Sequence, residues 1–197
     1  MNYQLELEKI INSLDGKKKL LLHSCCAPCS SYCITYLKDY FDITILYYNP
    51  NIEPIEEYNK RKNEQIKLCN LFNINVMDCD YDNDLFHEVV KGLEDVPEGG
   101  ARCFKCYELR MRKTAELSKG FDYFGTTLTI SPLKNSKKIN EIGIMLESEY
   151  NTKYLLSDFK KKEGYKKSIL LSKEYDLYRQ NFCGCIYSKP RDIEKVS

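Results

Sequence analysis

Apolar and polar positions along the chain mark out helices and short strands in alternation. Leu5, Leu7, Ile10, Ile11 and Leu14 recur at helical spacing and predict an amphipathic helix over 1–15, closed by Gly16. The apolar run Lys19–His23 predicts a buried strand, and Pro28 stands where a helix can begin, continuing through Ser30–Tyr40. Asp42–Tyr48 is rich in β-branched and aromatic residues and predicts a second strand. Further helices are expected from Pro54 to Leu71, over Leu85–Gly92, over Cys103–Lys119 to a stop at Gly120, over Lys137–Tyr150 and over Lys162–Tyr178. The remaining strands are expected at Ile74–Cys79, Tyr123–Thr127 and Tyr154–Leu156.

Strands in turn with helices predict an α/β protein with a mainly parallel sheet of about five strands flanked by helices. Neither an internal repeat nor a low-complexity linker interrupts the pattern, so residues 1–197 are expected to form a single domain. Residues 1–16 are its N-terminal helix, and residues 179–197 are a tail carrying Cys183-Gly-Cys185. In such sheets ligands bind beyond the carboxyl ends of the strands. Cys25-Cys26 follows the first strand and Thr126–Ser131 the fourth, so both belong on that rim.

The net charge of +1 does not announce a nucleic-acid partner, although Lys17–Lys19, Lys160–Lys162 and Arg110-x-Arg112-Lys113 form local basic clusters. No apolar run approaches the roughly 20 residues of a membrane span, and the first residues do not read as a secretory leader. The expected location is cytoplasmic. There, grouped cysteines point to metal ligation or redox chemistry rather than to structural disulfides.

The chain has ten cysteines, and six fall into tight groups: Cys25-Cys26, Cys103-x-x-Cys106 and Cys183-Gly-Cys185. Two cysteines at a helix start aim both sulfurs at one point, where the helix dipole favours thiolate. Six grouped thiols exceed the four ligands of a structural zinc; four suit a [4Fe–4S] cluster and leave two for a second metal or a redox pair. Cys33, Cys69 and Cys79 fit apolar positions and are expected in the core, while Cys29 fits either role. Cys26-Ala-Pro-Cys29 also resembles the C-x-P-C of thioredoxin-like oxidoreductases, a reading that leaves the other grouped thiols unexplained. The chain also resembles PP-loop proteins of the HUP, or adenine nucleotide alpha-hydrolase-like, class, except that cysteines replace the phosphate loop in His23–Ser30.

Six segments, His23–Ser30, Tyr47–Tyr58, Arg102–Arg110, Thr126–Ser136, Ser157–Ser168 and Arg179–Ser188, together resemble the QueH-type epoxyqueuosine reductases. The resemblance implies reduction of the epoxide of epoxyqueuosine at the wobble position of tRNA with a GUN anticodon, the last step of queuosine formation, without cobalamin. It implies Cys25, Cys26, Cys103 and Cys106 as ligands of a [4Fe–4S] cluster. Cys183 and Cys185 would be a redox pair or ligands of a second, mononuclear iron. The electron donor would be of ferredoxin or flavodoxin type. Glu108, Tyr107 and Tyr187 are the acid candidates nearest the thiols in sequence. Asp158, Lys160, Tyr165, Lys166 and Lys167 are candidate substrate contacts, with Asn49 and Asn51 shaping the rim. Arg102, Arg110, Lys134, Lys137 and Lys138 are candidate tRNA contacts. The alternatives are a metal-bearing tRNA-binding module without reductase activity and a general dithiol oxidoreductase.

Overall fold

A computed structural model describes residues 1–188; the end of the expected tail, 189–197, lies outside the described residues. Five parallel strands form one sheet in the order β3-β2-β1-β4-β5. They are β1 (Lys18–His23), β2 (Phe41–Leu46), β3 (Asn75–Met77), β4 (Tyr123–Thr126) and β5 (Lys153–Tyr154). The helices are α1 (Tyr3–Asn12), α2 (Ala27–Leu37), α3 (Ile55–Leu71), α4 (Asn83–Val90), α5 (Ala101–Leu117), α6 (Ser136–Tyr150) and α7 (Gly164–Glu174). Among the described residues no helix is long and apolar enough to cross a membrane.

The pleat of β1 decides the layering. Leu20 and Leu22 face one way and pack with Ile43 and Ile45 against Leu7 and Ile11 of α1, Ile34 and Leu37 of α2 and Leu68 of α3. Leu21 faces the other way, towards Leu109 and Leu117 of α5. Phe124 of β4 meets Met111, Ala115, Ile139 and Ile142 of α5 and α6. Helices thus cover both faces, and Leu20, Leu21 and Leu22 of the central strand are fully buried. Cys33 and Cys69 lie in this core as expected, and half-buried Cys79 packs beside Tyr48.

Several elements are shorter than the apolar pattern predicts, α1 (Tyr3–Asn12 against 1–15) among them. The outer strands β3 and β5 pair on one side only and stop where that pairing stops. Helix α7 ends at Glu174 rather than Tyr178 because Asp176 turns left-handed (φ 48°). The Leu177 amide then closes back on the Ser172 carbonyl at 2.8 Å, and that of Asp176 on Lys173.

The chain runs outward from β1 to β2 and β3, then returns to the other side of β1 as β4. The strand order therefore reverses between β1 and β4, parallel neighbours in which His23 stands opposite Thr126. The loops after these two strands diverge there and leave a crevice at the carboxyl rim.

Candidate metal and substrate site

His23, the last residue of β1, ties the rim together. Its Nε2 donates to the Tyr48 carbonyl (3.1 Å), so its Nδ1 accepts from the Thr126 hydroxyl (3.0 Å). Burial, reinforced by Arg110, pushes His23 down to about 3 and keeps it neutral. The chain then turns through Ser24 and Cys25 into α2, with Cys26 as N-cap and Cys29 in the first turn. Gln65 of α3 braces the turn, its Oε1 accepting from Ser24 (2.6 Å) and Ser30 (2.8 Å). Thr127 accepts from the Cys25 amide at 3.3 Å.

This turn brings the sulfurs of Cys25, Cys26 and Cys29 within 4.8 Å of one another, the one group of potential metal ligands so close among the described residues. The undecided Cys29 thus joins the site. Hydrogen bonds from the Cys26 and Cys29 thiols, with help from nearby Lys134 and Thr127, hold the Cys25 thiol well below its ordinary value. The same contacts push Cys26 and Cys29 up, so Cys25 is the most acidic thiol of the three.

The second group forms where the tail crosses the start of α5. Cys103 accepts from the Gly99 amide at 3.2 Å, and Cys106 lies one turn further on; burial pushes its thiol up to about 12. Cys183 and Cys185 arrive on the tail. Arg61, buried on α3, pairs with Glu57 (2.6 Å) and donates to the carbonyls of Cys183 (3.0 Å) and Phe182 (3.4 Å). The Glu53 amide holds the Gly184 carbonyl at 2.9 Å. Gly184 has φ +121°, and a Cβ there would stand 2.8 Å from Ile52, so the bend between the two cysteines requires glycine.

Two cavities result. The smaller, about 10 Å³, is lined by Cys103, Cys106, Cys183 and Cys185 with Asn51, Tyr107 and Arg110. The larger, about 290 Å³, is lined by Cys25, Cys26, Cys29 and Cys183 with Arg61, Arg110, Lys134, Tyr165 and Arg179. Cys183 and Arg110 line both, as does Glu98, the one carboxylate in either wall. The expected set of Cys25, Cys26, Cys103 and Cys106 is therefore divided between adjoining cavities. Burial pushes Lys134 down, but the thiols of Cys183, Cys25 and Cys29 outweigh it and hold the amine protonated.

The other expected residues separate cleanly. Tyr165 lines the larger cavity and Asn51 the smaller; both side-chain polar atoms of Asn51 are buried without a partner. Asn49 is structural, donating to the Ser24 carbonyl (2.8 Å) and accepting from Arg110 (3.3 Å). Arg102 is 3 % exposed; it lines the smaller cavity and fastens the loop before α5 through the carbonyls of Leu93 and Glu94, beneath the Tyr187 ring. Arg110, 1 % exposed, is likewise an internal cation and not a surface tRNA contact. Tyr187 packs beside Cys106 and Cys185, with its hydroxyl 3.5 Å from His87.

Glu108 does not face the thiols. It follows Cys106 by two residues, about 200° around the helix, and pairs with Arg112 at 3.0 Å on the outer face. Asp158 and Lys160 pair with each other (2.7 Å), and Asp158 lines a groove beside Met1 and Tyr3, away from both cysteine cavities. Lys166 pairs with Glu163 on the surface, and Lys167 lies over the Tyr32 ring. Lys137 and Lys138 approach Glu141, outside both cavities. Arg61 and Glu98 had no part in the expected site.

Comparison with known proteins identifies the family. The sequence profile described as "Epoxyqueuosine reductase QueH" matches residues 20–191. Epoxyqueuosine reductase QueH of Staphylococcus epidermidis is 43% identical over 95% of this chain and 84% of its own length. The Streptococcus pyogenes protein of that name is 42% identical over 97% and 78%, and that of Thermotoga maritima 37% over 89% and 93%. A solved structure, the U34-tRNA thiolase NcsA from Methanococcus maripaludis with its [4Fe-4S] cluster, shares the fold with a TM-score of 0.57 at 15% identity, covering 95% of this chain and 67% of that one. With its cysteine-lined rim on this fold and near-complete coverage of these relatives, the chain belongs to the QueH family of epoxyqueuosine reductases and is an oxidoreductase.

Proposed function

We propose that this protein reduces the epoxide of epoxyqueuosine at the wobble position of tRNAs with GUN anticodons, forming the cyclopentene of queuosine. The reaction consumes two electrons and two protons and releases the ring oxygen as water. The observation that carries the reading is the pair of cysteine-lined cavities joined through Cys183 and Arg110 at the carboxyl rim of the sheet.

The donor set fits iron. Cys25, Cys26 and Cys29 would hold an iron–sulfur cluster: they are soft, clustered and most acidic at Cys25, with Arg110 and Lys134 beside them to offset its charge. Bound there, a cluster supplies electrons one at a time. The cavity among Cys103, Cys106, Cys183 and Cys185 is the size of a single water or ion. Cys183 and Cys185 would be ligands of one further metal ion beside the cluster, or would act as a dithiol. The electron donor is of ferredoxin or flavodoxin class, cobalamin takes no part, and the setting is the cytoplasm.

The chain's own residues position the substrate. The larger cavity carries four cations, Arg61, Arg110, Lys134 and Arg179, against the single carboxylate Glu98. Net charge hides this local excess. Exposed Arg179 and half-buried Lys134 meet the phosphates flanking the splayed nucleotide, and Tyr165 offers a ring for stacking. Glu98, exposed at the mouth of both cavities, takes the role of proton donor that sequence proximity had suggested for Glu108.

The test is anaerobic incubation of iron- and sulfide-reconstituted, cobalamin-free protein with epoxyqueuosine tRNA and a chemical reductant, followed by nucleoside mass analysis. Conversion to queuosine is expected. Retention of the epoxide oxygen by fully loaded protein would refute the assignment.

A further inference from the structure

Arg110 is a buried cation with a hydrogen-bond donor left over. It lies one helical turn beyond Cys106, and its Nε donates to that residue's carbonyl at 3.3 Å. Its Nη1 donates to Asn49 Oδ1, also at 3.3 Å, and Asn49 is itself fixed on the Ser24 carbonyl. The guanidinium plane is therefore held from two sides. Nη2 has no hydrogen-bond partner, and Arg110 is only 1 % exposed.

A buried donor without an acceptor is destabilising, more so when it is charged. No carboxylate lies within ion-pair distance of Arg110 among the described residues; the negative partners it faces are the sulfurs of Cys106, Cys183 and Cys25, none of which accepts a hydrogen bond from Nη2. The other buried guanidinium of the larger cavity, Arg61, is occupied by Glu57, Cys183 and Phe182. Arg110 is thus the cation fixed at the junction of the two cysteine groups that retains a free donor. One side of it is ion-sized and the other has room for a substrate ring.

We propose that Arg110 is a catalytic residue: Nη2 donates to the oxygen of the substrate's three-membered ring, and the fixed charge offsets negative charge growing there as the carbon–oxygen bonds break. The step rests on the epoxide reduction proposed above. Both carbon–oxygen bonds break and the oxygen leaves as water. Two electrons come from an external one-electron carrier of the flavin or iron–sulfur class, and two protons from acids other than Arg110. A preorganised donor of this kind acts where charge develops and needs no reorganisation at that moment.

The test compares wild-type protein with Arg110→Gln and Arg110→Lys, the latter keeping charge and stem volume so that the fold is preserved. Three quantities are read: iron content with its visible absorbance, kcat and KM on epoxyqueuosine tRNA, and binding without reductant of epoxyqueuosine tRNA against queuosine tRNA, which lacks that oxygen. For Arg110→Gln, kcat should fall roughly 100-fold or more with iron content little changed, the preference for the oxygenated tRNA should be lost, and KM should rise by no more than that lost preference. Arg110→Lys should recover part of the rate. A loss of iron or absorbance parallel to activity in both variants would overturn the proposal and assign Nη2 to the sulfur ligands. So would a rise in KM at unchanged kcat, an equal loss of affinity for both tRNAs, or wild-type behaviour. Wild-type protein that leaves the epoxide intact defeats the functional reading first, a result distinct from any confined to the variants.

Discussion

Replacing Arg61 by Met removes the clasp on the Cys183-Gly-Cys185 segment while keeping most of the side-chain volume. In the native protein the guanidinium donates to the Cys183 and Phe182 carbonyls, covers the Phe182 ring (4.9 Å) and pairs with Glu57. A hydrogen bond from a charged donor contributes about 1.5–3 kcal/mol. The bond to Phe182 is long at 3.4 Å, and the Tyr178 hydroxyl still donates to Glu57 at 3.2 Å. The docking of the tail should therefore weaken by about 2–3 kcal/mol, raising the undocked fraction roughly 30- to 150-fold.

Cys185, 7 % exposed when docked, reports that fraction directly. Its alkylation by iodoacetamide, in metal-free reduced protein under conditions where opening is fast, should accelerate by the same factor. Fully buried Cys33 serves as the internal standard, since it reacts only on global opening. Arg61→Lys, which keeps the charge but not the fork, should fall between. An Arg61→Met rate at Cys185 within about threefold of wild type, against the roughly 30-fold minimum, would refute the clasp. An equal acceleration at Cys33 would show that Arg61 supports the whole fold rather than the tail.

Three further outcomes are expected. Cys29→Ser should lower iron per chain after reconstitution; Cys33→Ser should leave iron intact while lowering urea stability by about 1–3 kcal/mol, because it buries a hydroxyl in the core. Gly143→Ala gains about 1 kcal/mol of helix propensity, but its methyl would stand 2.2 Å from the buried Tyr154 ring; a net loss of about 1–3 kcal/mol by urea titration is expected, and stabilisation would contradict the packing. Because burial holds His23 at about 3 against 6.5 unfolded, its contribution is intact above pH 6.5 and drains away as pH falls towards 3. Metal-free wild type should lose about 2 kcal/mol from this group between pH 8 and pH 5, a slope that His23→Gln should lack.

The central architecture was legible because it rests on local signals. Leu20–Leu22 can only be a strand buried on both faces, and Cys103-x-x-Cys106 after two glycines marks a helix start. Three features were not read, for different physical reasons. Glu108 was chosen by distance along the chain, whereas a helix turns by about 100° per residue. Periodicity alone would have moved it to the face opposite Cys106. Arg61 sits in the charged run Lys60-Arg61-Lys62 and reads as solvated helix. Yet Tyr58, Arg61, Gln65, Leu68 and Cys69 recur at helical spacing and are all buried. An arginine and a glutamine inside an apolar stripe are the signal of an internal polar task, here bracing the two cysteine loops. Asp158 and Lys160 answer to no pattern within the chain; their pairing near Met1 depends on where β5 ends and how the chain enters α7.

The two cysteine groups differ in how they are built, and this bears on how the site comes to exist. Cys25, Cys26 and Cys29 are fixed by the central strand, the first turn of α2 and the Gln65 brace, all of which form with the core. Cys103 and Cys106 ride on α5, but Cys183 and Cys185 reach them only through the docking of a tail segment held by Arg61, Glu53 and the bend at Gly184. The four-thiol cavity is therefore conditional on a few contacts, and so is the wall of the larger cavity that Cys183 supplies. An ion that binds the assembled thiols and not the separated ones must stabilise the docked tail by mass action. Cys185 alkylation in the Arg61→Met variant should then slow again on metal addition, in proportion to the free metal concentration. Absence of that slowing, with metal bound at the other three cysteines, would separate the two groups and leave Cys183 and Cys185 as a dithiol.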